Sequence, residues 1–109
     1  MGYNESLCLR IRELLAGEPG LVEKKMFGGI GFLLDGNMAC GVHKDALIVR
    51  VGADAYQSAL DQANARPFDM TGHPMTGWVM VDPPGFASES ALDAWVRRGC
   101  EFARSLPPK

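Results

Sequence analysis

The sequence predicts an α+β domain: a two-layer, mainly antiparallel sheet of about five strands with helices packed on one face. Three features carry that expectation. Apolar residues recur at helical spacing near both ends of the chain. Short apolar runs separated by turn residues fill residues 22 to 51. Strands do not alternate with helices throughout, so a parallel sheet is not expected. The expected order is helix, β meander, helix, β hairpin, helix.

The first helix is expected over about residues 4 to 16. Leu7, Ile11, Leu14 and Leu15 stand at i, i+4, i+7 and i+8 on one face, with Arg10, Arg12 and Glu13 off it. Gly17 and then Pro19-Gly20 stop it. A strand over 22–27 follows, and Gly28-Gly29 breaks or bulges it. Residues 30–34 form a strand that is apolar on both parities, with Ile30, Phe32 and Leu34 on one side and Leu33 on the other. Asp35-Gly36-Asn37 reads as a hairpin turn, because such residues tolerate positive φ. The chain returns over 38–42, turns again at His43-Lys44-Asp45, and extends over 46–51.

Gly52-Ala53-Asp54 opens a second helix, with Asp54 expected as its N-cap and Tyr56, Ala59, Leu60 and Ala63 on one face. Pro67 ends it. Residues 68–70, a turn at Thr71-Gly72-His73-Pro74 and residues 77–81 make a looser hairpin, and Asp82-Pro83-Pro84-Gly85 punctuates. Ser88 or Ser90 caps the last helix, with Asp93 three residues after Ser90 in a capping-box position. Leu92, Trp95, Val96, Gly99, Phe102, Ala103 and Leu106 form its stripe. Glycine inside a helix costs about 1 kcal/mol relative to alanine, so Gly99 implies close packing of helix on sheet. Three helices are too few to cover both faces of such a sheet. Either the hairpin over 68–81 folds across the second face, or a second copy covers it, and a homodimer is the expectation.

Composition bounds the function. A chain of 109 residues is one domain and buries roughly 65% of its unfolded surface. Hydrophobic residues are 47% and charged residues 22%, which excludes a disordered chain. Net charge is −2, from 11 basic and 13 acidic residues. That balance argues against a domain that grips nucleic acid directly. No apolar run approaches the ~20 residues of a membrane span. Cys8, Cys40 and Cys100 are far apart without Cys-x-x-Cys spacing, which suits free thiols in a reducing cytoplasm.

Candidate sites are few. The amides freed by Gly28 and Gly29 could cradle an anion with Lys24 and Lys25 beside them, but phosphate loops run into a helix and here a strand follows. A bulge or tight bend is the alternative. Arg50 shares a strand face with Ile48 and needs water or a partner, either a carboxylate such as Asp35 or Asp69 or an acidic ligand. His43 and His73 sit in expected turns without metal-ligand spacing, so no metal is expected. Cys8 lies near a helix N-terminus, where a thiol pKa can fall, but no histidine is placed beside any cysteine. Trp78, Trp95, Phe27 and Phe32 read as core rather than as a stacking platform, and Arg97 and Arg98 as a solvated helix face.

The stretch Lys24-Lys25-Met26-Phe27-Gly28-Gly29-Ile30-Gly31-Phe32, continuing Leu33-Leu34-Asp35-Gly36-Asn37-Met38-Ala39-Cys40, resembles the N-terminal domain of the TfoX/Sxy proteins. The family pattern is a basic residue, Met-Phe-Gly-Gly, a hairpin, and a strand ending near Leu-x-x-Arg/Lys-Val, which Leu47-Ile48-Val49-Arg50-Val51 matches. Arg66-Pro67-Phe68-Asp69-Met70 and Trp78-Val79-Met80-Val81 are similar to the second half of such domains. The resemblance covers residues 1–109 as one stand-alone domain, without the C-terminal helical half of two-domain members. It implies a two-layer α+β fold. Two-domain members are associated with regulating natural competence, a role not carried over to this chain, and the family is not known for enzymatic activity.

The expected role is therefore a non-enzymatic regulatory or protein-interaction module, cytoplasmic, with a protein partner or a second copy of itself. No catalytic residue and no cofactor is expected, and no membrane or direct nucleic-acid contact. Lys24, Lys25, Phe27, Gly28, Gly29, Phe32 and Arg50 are the candidate binding or interface residues. On this reading a charge at Phe32 should change assembly or partner capture. The alternative is a small-ligand or anion-binding domain, with room for an unrecognised enzyme, using the Gly-Gly hairpin with Lys24, Lys25 and Arg50.

Overall fold

A computed structural model describes residues 3–26, 28–69 and 75–109. The first helix, α1 (Glu5–Leu15), begins at Asn4, whose side-chain oxygen accepts a hydrogen bond from the Leu7 amide at 3.0 Å. Its stripe buries Leu7, Cys8, Ile11 and Leu15. Four strands then follow as a meander: β1 (Leu21–Met26), β2 (Gly29–Leu34), β3 (Asn37–His43) and β4 (Ala46–Arg50), each antiparallel to the next.

The turns come out tighter than the sequence suggests. Met26 pairs with Gly29, so of the two expectations for the Gly-Gly stretch the break holds: the chain reverses before Gly29, the first residue of β2. The bulge lies further on, where Phe32 faces Cys40 and Leu33 faces Met38, leaving Ala39 as the extra residue. Leu34 pairs with Asn37, so the hairpin loop is Asp35-Gly36 alone, with φ of 52° and 87°. Asn37 is the first residue of β3 and is buried, its amide nitrogen donating to the Pro107 carbonyl at 2.9 Å. His43 is likewise a strand residue, paired with Ala46 across a Lys44-Asp45 loop.

The middle of the chain departs most from expectation. Helix α2 is short (Tyr56–Leu60) and begins after Ala55 with no side-chain cap, so Asp54 sits one residue too early to serve. Ala63 is exposed. The next strand, β5 (Ala65–Pro67), starts before Pro67 rather than after it, and Phe68 lies outside any strand. Met70 and the turn at 71–74, His73 included, lie outside the described residues. Strand β6 (Trp78–Val81) pairs with both β5 and β4, giving one antiparallel sheet of six strands in the order β1-β2-β3-β4-β6-β5.

A 3-10 turn at Pro83–Phe86 leads to α3 (Glu89–Arg104). Its cap is Ser88, whose hydroxyl accepts from the Ala91 amide at 3.1 Å. Asp93 takes no part in capping and instead receives a hydrogen bond from Arg97 at 2.9 Å, one turn on. Ser88→Ala is expected to lower stability by about 0.5–2 kcal/mol, measured by urea unfolding, whereas Ser90→Ala should leave it nearly unchanged.

The helices cover one face. Phe32, Val42, Leu47, Val49, Val79 and Val81 are fully buried there in a single cluster with α1, Ala59 of α2, and Leu92, Trp95 and Val96 of α3. On the other face Ala46, Ile48 and Met80 cluster with Phe68, and Met38 and Trp78 pack beside them. Phe68 thus closes part of the second face from within the chain. No described helix is long and apolar enough to cross a membrane.

Candidate functional site

The two sheet edges differ. The β5 edge is three residues long and ends in Pro67, which cannot donate to a ladder. The β1 edge is six residues long, pairs among the described residues only with β2, and exposes Val22, Glu23, Lys24 and Lys25 in succession. Successive strand residues point to opposite faces. Lys25, opposite Ile30, therefore faces the helix layer, and Lys24, opposite Gly31, faces away from it. Glu23 is on the helix side, where Arg12 of α1 donates to both its oxygens at 2.8 and 3.0 Å. Val22 is 48% exposed on the helix-free side, the face that half-buried Met26 also takes at the other end of the strand.

The two glycines of the β1–β2 turn have different reasons. Gly28 needs φ of +76° and has open space where a Cβ would stand, while a Cβ on Gly29 would run into the Val42 carbonyl oxygen. A cavity of about 420 Å³ beside this turn is lined by Tyr3, Lys25, Met26, Gly28 and Gly29. Lys25 is its one cationic lining residue among the described residues. Lys24 is on the opposite face. Arg50 is on β4, at the end of the sheet remote from this turn, because Lys25 aligns through Ile30 and Val42 with Leu47 and Arg50 lies three residues further along. The structure therefore does not gather Lys24, Lys25 and Arg50 around the glycine amides. Phe27 lies outside the described residues. Phe32 is fully buried under the helices and presents no surface.

Arg50 has a different neighbourhood from the expected carboxylate. Its guanidinium carbon sits over the Trp78 ring at 5.0 Å and over the Phe102 ring at 5.2 Å. Asp35 instead accepts from Arg104 at 3.3 Å.

A second cavity, of about 560 Å³, opens on the helix-free side between the β3–β4 loop and the β5–β6 pair. His43, Lys44, Asp45, Arg66, Asp69 and Asp82 supply its polar wall. Arg66 and Asp82 already satisfy each other, with Arg66 donating from both Nε and Nη2 at 3.1–3.2 Å. These residues are scattered in sequence, and the pairing of β6 with both β4 and β5 brings them together. Among the described residues no three His, Cys, Asp or Glu side chains stand as a metal site.

The thiols are unsuited to nucleophilic work at neutral pH. Burial raises Cys40 far above its ordinary value and raises Cys8 despite the nearby Arg12, and it pushes Cys100 up to about 11. The helix N-terminus near Cys8 does not win, because the sulfur faces the core.

Residues 13–103 match the family model described as the TfoX N-terminal domain. No curated protein and no solved structure matches the chain.

Proposed function

The chain belongs to the TfoX N-terminal domain family, and from that premise we propose that it is a non-enzymatic regulatory module that works by protein contact, through the open β1 edge of its sheet. The observation that carries this reading is the asymmetry of the edges: one is short and closed by proline, the other long and unpaired. Free, protonated thiols fit a reducing cytoplasm as its setting.

The partner is a second copy. Antiparallel pairing of two β1 strands about a two-fold axis normal to the sheet makes residues of like parity face each other. With the axis at Lys24, Glu23 faces the partner's Lys25 and Val22 faces the partner's Met26, each pair occurring twice. Only Lys24 then meets its own kind, on the open side where its ammonium reaches water. An axis at Glu23 or at Lys25 sets like charges together with no opposite pair to offset them. The charges select one register.

Sedimentation velocity over a range of concentrations tests this. The native chain should dimerise. Lys25→Glu should weaken the dimer about tenfold, since two cross-strand pairs pass from attraction to repulsion. Lys24→Thr should tighten it a few-fold. A monomer at every concentration, or a dimer indifferent to both changes, removes β1 as the interface.

A further inference from the structure

Most arginines of this chain are neutralised. Arg10, Arg12, Arg66, Arg97 and Arg104 each pair with a carboxylate at 2.8–3.3 Å. Arg98 and Arg50 contact rings instead. Arg98 lies over one, Trp95, at 5.0 Å, on the outer side of α3. Arg50 lies over two, and they belong to different elements, Trp78 of β6 and Phe102 of α3. It makes no hydrogen bond or ion pair with any described residue. Asp54, four residues on, and Asp69, next to Phe68, are exposed and leave it alone.

The chemistry of that arrangement is specific. A guanidinium has apolar faces and an in-plane edge of five N–H donors. Rings attract its faces, and no described residue meets its edge. Arg50 is half-buried, so part of its hydration is already gone. Contacts from two elements restrict the side chain before any ligand arrives, which lowers the entropy lost on binding. That edge, unmet by the described residues, matches two oxygens held about a planar or tetrahedral centre.

We infer that Arg50, held by Trp78 and Phe102, is a binding site for the two-oxygen edge of an anion, a carboxylate or a phosphate group carried by a partner molecule. The site is independent of the proposed dimer. It lies three strands from β1 and shares no residue with that edge.

The test is a titration of the full, nitrogen-15-labelled chain with sodium phosphate and, separately, sodium acetate at fixed ionic strength. The Nε–Hε resonance of Arg50 is followed beside that of Arg98, an internal control that also stacks without a carboxylate. Arg50 should shift saturably while Arg98 drifts. Saturation by phosphate alone assigns a phosphate-bearing ligand, saturation by acetate alone an acidic side chain or chain terminus, and saturation by both a fork that accepts either. Arg50→Lys, read from the Trp78 indole N–H, should bind roughly tenfold more weakly, because the charge remains and the fork is lost. If Arg50 moves no more than Arg98 with both salts, or if Arg50→Lys binds equally well, the assignment falls. Loss of dimerisation in Lys25→Glu would leave this result untouched.

Discussion

Phe32→Ala is expected to destabilise the fold by about 3–5 kcal/mol, the range for emptying a buried phenyl site. Phe32 is the largest of the fully buried side chains, on β2 in the cluster shared with α1 and α3. Its strand neighbours Ile30 and Leu34 point the same way, and Cys40 faces it across the ladder. Strands clamp its backbone on both sides, so the cavity has little freedom to collapse. A domain of this size has about 5–15 kcal/mol in all, so a loss on that scale should lower Tm on the order of 20 °C. Differential scanning calorimetry reads it directly. A charged residue at 32 should prevent folding altogether, which makes Phe32 a probe of the core and not of an interface. A shift under ~1 kcal/mol would mean that the helix layer packs elsewhere.

Phe32 also shows how far the sequence carries. Its strand is apolar on both parities, and that pattern was legible. What parity alone leaves open is which side the helices take and what covers the other. The helix side took Ile30, Phe32 and Leu34, and the far side is closed in part by Phe68, from the segment that was one of the two covers expected for it. Elements written in local chemistry were readable: the first helix over about 4–16, a hairpin turn at Asp35-Gly36, the long stripe from Leu92 to Ala103. Strand β5 was not, because proline reads as a terminator when the strand's outer position is unknown. On an edge strand the missing N–H costs little.

The candidate site divides along the same line. The opposite projection of Lys24 and Lys25 follows from strand alternation and needs no coordinates. The separation of Arg50 from both needs the strand order, and its aromatic neighbours need more. Trp78 faces Arg50 directly across β4 and β6, a pairing that depends on β6 inserting between β4 and β5. Interleaved cations and rings were absent from any one stretch of chain. Folding assembles them from three elements.

Gly99→Ala carries the second large effect, and its sign is the point. In an isolated helix the change would add about 1 kcal/mol of propensity. Here a Cβ on Gly99 would run into the Ala39 carbonyl oxygen, and Ala39 is the extra residue of the β2–β3 bulge, buried against α3. A backbone carbonyl in the middle of a sheet cannot rotate aside as a side chain would. The helix must lift instead, loosening Val96 and Ala103 from the strands they cover. Overpacking of this kind costs about 1–3 kcal/mol, so the substitution should destabilise despite the better helix former. Urea unfolding of Gly99→Ala with the native m-value decides it. A more stable variant would show that α3 rides higher than these contacts place it, and that the bulge at Ala39 sets strand register without seating the helix.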